Sequence, residues 1–261
     1  MDKLKAEFVD SINSPLKYFQ LVREPNNPVG NVVFVQGMFE ELNQNRHVFK
    51  YLGLQLAAQN IRSVIFDFIG TGDSEGDLYD VSLPLWQSQL NEVVDKISKN
   101  NRLPISLVVF GSGALTLSDD IISKCHYIQL WQPEFSGKKL LKQLSRIAIL
   151  NKMPIDESGE NIDVAGYQLP QSLWLQLKNA TPFDLVSKQS IFDWLELIDS
   201  DEQPIPTART RAAQTVFGES FKINALVQSK YWQANELILP QKLLEESVAK
   251  ITQEHCENGV E

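Results

Sequence analysis

Val108-Val109-Phe110-Gly111-Ser112-Gly113-Ala114-Leu115 is an apolar run that ends in a tight turn of small residues. A strand entering such a turn can present a serine as a nucleophile, provided the spacing is G-x-S-x-G. Here the spacing is broken. With Gly111 as the first glycine, the nucleophile position falls on Gly113 and the last small position on Leu115. With Ser112 as the nucleophile, the small positions are held by Phe110 and Ala114. Ser112 is the candidate nucleophile in that second register, and otherwise a helix-start residue able to cap backbone amides. Gly111, Gly113 and the amides of the turn form a candidate anion site that needs no side-chain nucleophile.

A nucleophilic serine also needs a base and an orienting acid. Asp199 and Asp201 follow the apolar run Ile191–Ile198 and can fill the acid position, although turns select Asp for local hydrogen bonding as well. The position for histidine is empty, because the chain after its last apolar run reads Ser229-Lys230-Tyr231-Trp232-Gln233. His47, His126 and His255 are expected at the surface or at helix ends, away from any catalytic base position. The alternative bases are Glu40 and Glu41, which follow Gln36-Gly37-Met38 together with Asn43 and Arg46. Gly37 and Met38 stand where an oxyanion-hole amide is expected. A buried Glu with a raised pKa can serve as acid or base, whereas a Glu paired with Arg46 stays ionised and structural. Trp131, Gln132, Ser136 and Trp232 follow strand-like runs and form a candidate pocket rim for a glycan or an acyl chain.

The elements that must position these residues are legible in the hydrophobic pattern. Asn31–Val35, Ser63–Phe68, Ile105–Phe110 and Tyr127–Trp131 are near-continuous apolar runs, as expected of strands buried on both faces. The segments near Arg46–Gln59 and Ser82–Lys99 carry apolar residues at helical spacing, and so do Gly137–Leu150 and Pro240–Thr252. Strand–helix alternation predicts an α/β fold with a doubly wound, mostly parallel sheet. Strands resume at Ile191–Ile198 and Ile223–Gln228. Ahead of them, after Leu150, the alternation is interrupted, with a hairpin or loop at Ile162–Leu169 and a short helix at Gln171–Leu177. The expectation is one domain over residues 1–261, with a small cap insertion at about 151–185.

Composition narrows the partners. A net charge of −9 gives no electrostatic footprint for nucleic acid or an anionic membrane surface. No apolar run approaches the ~20 residues of a membrane span, and the start of the chain has no signal-like run, so a cytoplasmic protein is expected. Cys125 and Cys256 are expected as two free thiols. Without metal-ligand spacing among Cys and His, no metal and no cofactor are expected.

The loop Asp67-Phe68-Ile69-Gly70-Thr71-Gly72-Asp73-Ser74-Glu75-Gly76-Asp77 is close to the D-x-x-G-x-G-x-S-x-G loop of α/β hydrolases. With Phe39 to Arg46, Leu130 to Lys138, Val164 to Leu169 and Tyr231-Trp232, it resembles the hydrolase 2 family associated with the exosortase A system. The resemblance implies an α/β-hydrolase fold and a bacterial setting of exopolysaccharide production and PEP-CTERM protein sorting. An exosortase-cluster protein is then the expected partner. The function read from the chain is a nominal ester or thioester hydrolase with an incomplete Ser–His–acid triad, binding a small acyl or glycan-related ligand. The alternatives are a working hydrolase using Ser112 with a non-histidine base, and a non-catalytic interaction scaffold.

Overall fold

The computed structural model describes residues 2–156, 159–180, 185–200, 204–233 and 236–256. In chain order, β1 (Lys3–Asp10), β2 (Lys17–Glu24) and β3 (Gly30–Val35) lead into α1 (Glu40–Ala58) and β4 (Ile61–Phe66). There follow α2 (Leu83–Asn100), β5 (Ile105–Phe110), α3 (Asp119–Lys124), β6 (Tyr127–Trp131) and α4 (Gly137–Leu150). The rest comprises β7 (Asn161–Val164), β8 (Tyr167–Pro170), α5 (Gln171–Asn179), β9 (Phe192–Ile198), α6 (Thr207–Phe217), β10 (Asn224–Val227) and α7 (Gln241–Cys256).

Eight strands form one sheet in the order β1-β2-β4-β3-β5-β6-β9-β10. From β4 to β10 every neighbour is parallel, and β2 joins β4 antiparallel. The runs that read as doubly buried are so: every residue of β3, β5 and β6 is buried. Alternation then sorts their side chains to two cores. Val33, Val35, Leu107, Val109 and Leu130 pack with α2, α4 and α5 on one face. Val32, Phe34, Val108, Phe110 and Trp131 pack with α1 and α7 on the other. The doubly wound sheet of the sequence reading is the observed one.

Three features depart from the sequence pattern. The antiparallel pair β1–β2 was not expected, because an edge strand with mostly exposed residues carries little hydrophobic signal. Helix α1 starts at Glu40, well ahead of Arg46, since Glu40 to Asn45 are polar except for Leu42 and carry little apolar period. Helix α6 was also unread for the same reason, with only Ala213, Val216 and Phe217 buried.

Outside the main sheet, β7 and β8 form a hairpin whose two-residue turn is Ala165-Gly166, at φ +52° and +83°. Two positive φ values match the twist of a tight hairpin. Helix α5 lies against α4 so closely that a Cβ on Gly137 would sit 1.8 Å from the Leu177 carbonyl oxygen. No described helix is long and apolar enough to cross a membrane.

Candidate functional site

The carboxyl ends of β3, β4, β5 and β6 bring the candidate residues to one rim. Strand β5 ends at Phe110, and Gly111 turns the chain at φ +53°, opening a short 3₁₀ stretch that runs to Thr116. Opposite it, β3 leads through Gln36-Gly37-Met38 to Phe39, which is held at φ +57°. For a bulky residue that backbone is strained, at a cost of ~1–3 kcal/mol. The turn at Phe39 starts α1 abruptly and points Glu41 back at the elbow.

The Glu41 carboxylate is where the elbow would project a side chain. A Cβ built on Gly111 would lie 2.4 Å from Glu41 Oε2, and one on Gly37 would be equally close. Ser112 donates to that oxygen twice, from its backbone N–H at 2.8 Å and from its hydroxyl at 2.6 Å. The same hydroxyl accepts the Met38 N–H at 2.8 Å. Burial pushes the Glu41 carboxyl above the usual range, and the two Ser112 hydrogen bonds oppose that shift. Gly113 approaches the loop from below, where a Cβ would meet the Gln36 carbonyl oxygen at 2.6 Å. Ser112 itself is fully buried.

The other candidates hold the frame. Arg46 does not pair with Glu40 or Glu41. It forms an ion pair with Asp67 at the end of β4 and another with Asp73 at 2.8 Å. Asp67 also accepts from Gln36 and from the Asp73 backbone, and burial raises its carboxyl against these partners. Glu40 accepts the Tyr167 hydroxyl at 3.0 Å, and Asn43 is exposed on α1. Trp131 is buried on the α1 and α7 face, its indole N–H donating to Gln129. Gln132, at φ +47°, ties β6 to β9 by accepting the Leu197 N–H at 2.8 Å. Ser136 caps α4 through the Lys139 N–H. Trp232 packs edge-on against Phe110. Asp199 is exposed just beyond β9, and Asp201 lies outside the described residues.

Histidine placement corrects one expectation. His255 is not a surface residue at a loose chain end. It is buried at the amino end of the sheet, with a ring nitrogen 3.1 Å from Ser106 Oγ. Desolvation, then the nearby His126, lowers its pKa to about 4. His47 lies inside α1, 3.1 Å from the Ile238 carbonyl oxygen, and His126 precedes β6 at the far end of the sheet.

Some polar groups at this rim were not singled out in the sequence. Arg209 of α6 bonds Glu196 at 2.9 Å and the Pro133 carbonyl at 2.8 Å, and faces Glu134 at 3.9 Å. A charged Glu196 inside the apolar run of β9 was the available signal. Tyr231 follows β10 where the sequence search looked for histidine, and its hydroxyl donates to Asn45. Burial, then the Glu41 charge, raises that phenol. Among the described residues no cluster of His, Cys, Asp and Glu is arranged to hold a metal.

No protein-family model and no curated protein matches the sequence. Solved structures do match along nearly its whole length. Est1E from Butyrivibrio proteoclasticus, solved with ferulic acid bound, superposes with a TM-score of 0.63 at 15% identity, over 97% of this chain and 100% of the other. A soluble variant of monoglyceride lipase from Saccharomyces cerevisiae, in complex with a substrate analogue, gives 0.63 at 12%, over 98% and 95%. Alpha/beta hydrolase domain-containing protein 10 from mouse gives 0.58 at 12%, over 95% and 97%. The chain has the α/β-hydrolase fold.

In an α/β-hydrolase fold the nucleophile sits on the strained residue after this strand. The oxyanion hole comes from the next residue's N–H and an N–H of the loop after β3. The residue on that turn is Gly111, so neither register counted from the sequence is the structural one. The flanking small positions are Val109 and Gly113, and the next residue is Ser112. Its N–H is taken by Glu41, and the Met38 N–H is taken by the Ser112 hydroxyl. Ser112 therefore caps no helix, and the anion bound at this turn is the chain's own carboxylate.

Proposed function

We propose that this α/β-hydrolase-fold protein binds a ligand and does not carry out Ser–His–acid hydrolysis. One observation carries the reading. The Glu41 carboxylate takes the space of a nucleophile side chain on Gly111 and holds the Ser112 amide at 2.8 Å. A substrate carbonyl at this position would have to displace an internal hydrogen-bonded pair before meeting any donor. The described part of the 151–185 insertion then acts as a cap over the rim, with β7 and β8 as its hairpin; residues 157–158 and 181–184 lie outside the described residues. In keeping with the resemblance of its Glu40 to Arg46 and Trp131 to Lys138 segments, the protein serves a bacterial exosortase and exopolysaccharide system from the cytoplasm. Its ligand is a small acyl or glycan-related molecule, and its protein partner comes from the exosortase cluster.

A second reading keeps hydrolysis and is favoured by the 2.6 Å contact between Ser112 Oγ and Glu41 Oε2. In it the hydroxyl gives its proton to Glu41 as Oγ attacks an ester or thioester carbonyl. The proton then passes to the leaving alcohol or thiol, and water releases the acyl group from Ser112.

A fluorophosphonate probe and a panel of acyl esters separate the two. The binding reading expects no labelling and no turnover by the folded protein. Labelling of Ser112 together with turnover abolished in Ser112→Ala would replace it with the Ser112–Glu41 reading.

A further inference from the structure

A cavity of about 620 Å³ opens between the loop after β4 and the β7–β8 hairpin, away from Gly111 and Ser112. Its volume falls within the ~300–1,000 Å³ of small-molecule clefts. Tyr79 from the loop and Tyr167 from the hairpin contribute to its wall, and Met153 adds a flexible apolar surface. The charged groups that line it are the carboxylates of Asp77 and Asp163, beside the side-chain amide of Gln168, whose oxygen accepts the Tyr79 hydroxyl. Among the described residues no lysine, arginine or histidine lines it. Two more carboxylates adjoin the lining, Asp80 accepting the Asp77 N–H and Glu40 accepting the Tyr167 hydroxyl.

The two tyrosine hydroxyls are already engaged. The Tyr79 hydroxyl donates to Gln168 Oε1 at 2.6 Å, so both phenol protons are spent on acceptors that span the gap between hairpin and body. The two aromatic rings thus line the same cleft as the carboxylates, a combination that attracts cations and repels anions. We infer that this cleft binds an organic cation: an ammonium or guanidinium group on an apolar body, with Asp77 and Asp163 as counter-charges and Tyr79 and Tyr167 as walls. None of Glu41, Gly111 and Ser112 lines it.

The methionines make the test local. Of the three in the chain, Met153 lines the cleft and Met38 contacts Ser112 through its N–H, so methyl-labelled methionine reports the two places separately by NMR. Benzyltrimethylammonium should shift the Met153 methyl saturably and leave Met38 unmoved. Its neutral isostere neopentylbenzene, and benzoate, should bind about tenfold more weakly or not at all. Asp77→Asn and Asp163→Asn should each weaken the cation about fivefold. Tyr79→Phe, which keeps the ring, should stay within about twofold of the parent, while Tyr79→Ala should lose about fivefold. The unchanged Met38 signal shows that each variant is folded.

Three outcomes overturn the inference: no Met153 shift at ~10 mM cation, a neutral sugar such as cellobiose shifting Met153 where the cation does not, or undiminished affinity in the Asp77→Asn/Asp163→Asn double variant. Failure here leaves the reading of the elbow intact. Labelling of Ser112 by a fluorophosphonate would sink that reading without touching the Met153 titration.

Discussion

The two ends of the parallel sheet have exchanged the titratable groups that hydrolytic chemistry would place. At the carboxyl end, where an imidazole is needed, stand the carboxyls of Glu41 and Asp67, both raised by burial. At the amino end, His255 is buried against Ser106 with its pKa lowered to about 4. Both ends bury a polar group, yet they satisfy it differently. The carboxyl end gives Glu41 an amide and a hydroxyl from one residue, whereas His255 has one hydroxyl partner and an orphaned Nδ1. The difference teaches that His255 is a packing residue, and that the elbow is filled by the chain's own carboxylate.

The largest expected effect comes from forcing a nucleophile back onto the elbow. Gly111→Ser places a Cβ 2.4 Å from the Glu41 carboxylate on a φ of +53°. Thermal or urea unfolding should show a loss of about 3 kcal/mol. In the double variant with Glu41→Ala, the part due to the collision should return and the backbone strain should remain. Equal losses in both backgrounds would mean that Glu41 does not fill the elbow.

The amino end is tested by pH. His255 has a folded pKa of about 4 against an ordinary histidine value of 6.5, so below 6.5 the unfolded chain takes up a proton that the folded chain refuses. Its contribution is complete above pH 6.5 and is lost as pH falls towards 4, amounting to about 3 kcal/mol over that window. Urea titrations at several pH values should show this slope, and it should flatten in His255→Gln. An unchanged slope would place the titrating group elsewhere.

The smallest effect belongs to Glu41→Gln. A carboxyl whose folded pKa is raised loses stability as pH rises through its titration, the opposite sign to His255. The amide oxygen of Gln can still accept both Ser112 donors, so at pH 7–8 the variant should be as stable as the parent or more stable by about 1 kcal/mol. A large loss at pH 7–8, measured by the same unfolding curves, would show that the ionised carboxylate itself holds the elbow.

Much of the frame was legible beforehand. The runs at 31–35, 105–110 and 127–131 are strands because a strand covered on both faces must be apolar throughout, and that requirement leaves a local signature. The edge strand β1 left none, because most of its residues face water. At the site, Gly37, Met38, Glu41, Gly111, Ser112 and Gly113 were drawn to one place by their positions after β3 and β5. Trp131 and Gln132 also follow a strand end, but their side chains serve the core and the β6–β9 junction. A strand-end position alone does not tell which way a side chain turns.

The sequence by itself determined the doubly buried strands, and the absence of an imidazole after Val227 among residues 228 to 233. These are matters of residue type and local period, and they need no knowledge of the chain's path. Only the tertiary structure decided that Gly111, and neither Ser112 nor Gly113, takes the strained turn. It also decided that a carboxylate 71 residues away in sequence closes that turn, and that His255 reaches Ser106 across 149 residues. Such pairings depend on how β3, β5 and α7 are brought together in space, and the hydrophobic pattern that assembles those elements carries no record of which polar atoms will then meet.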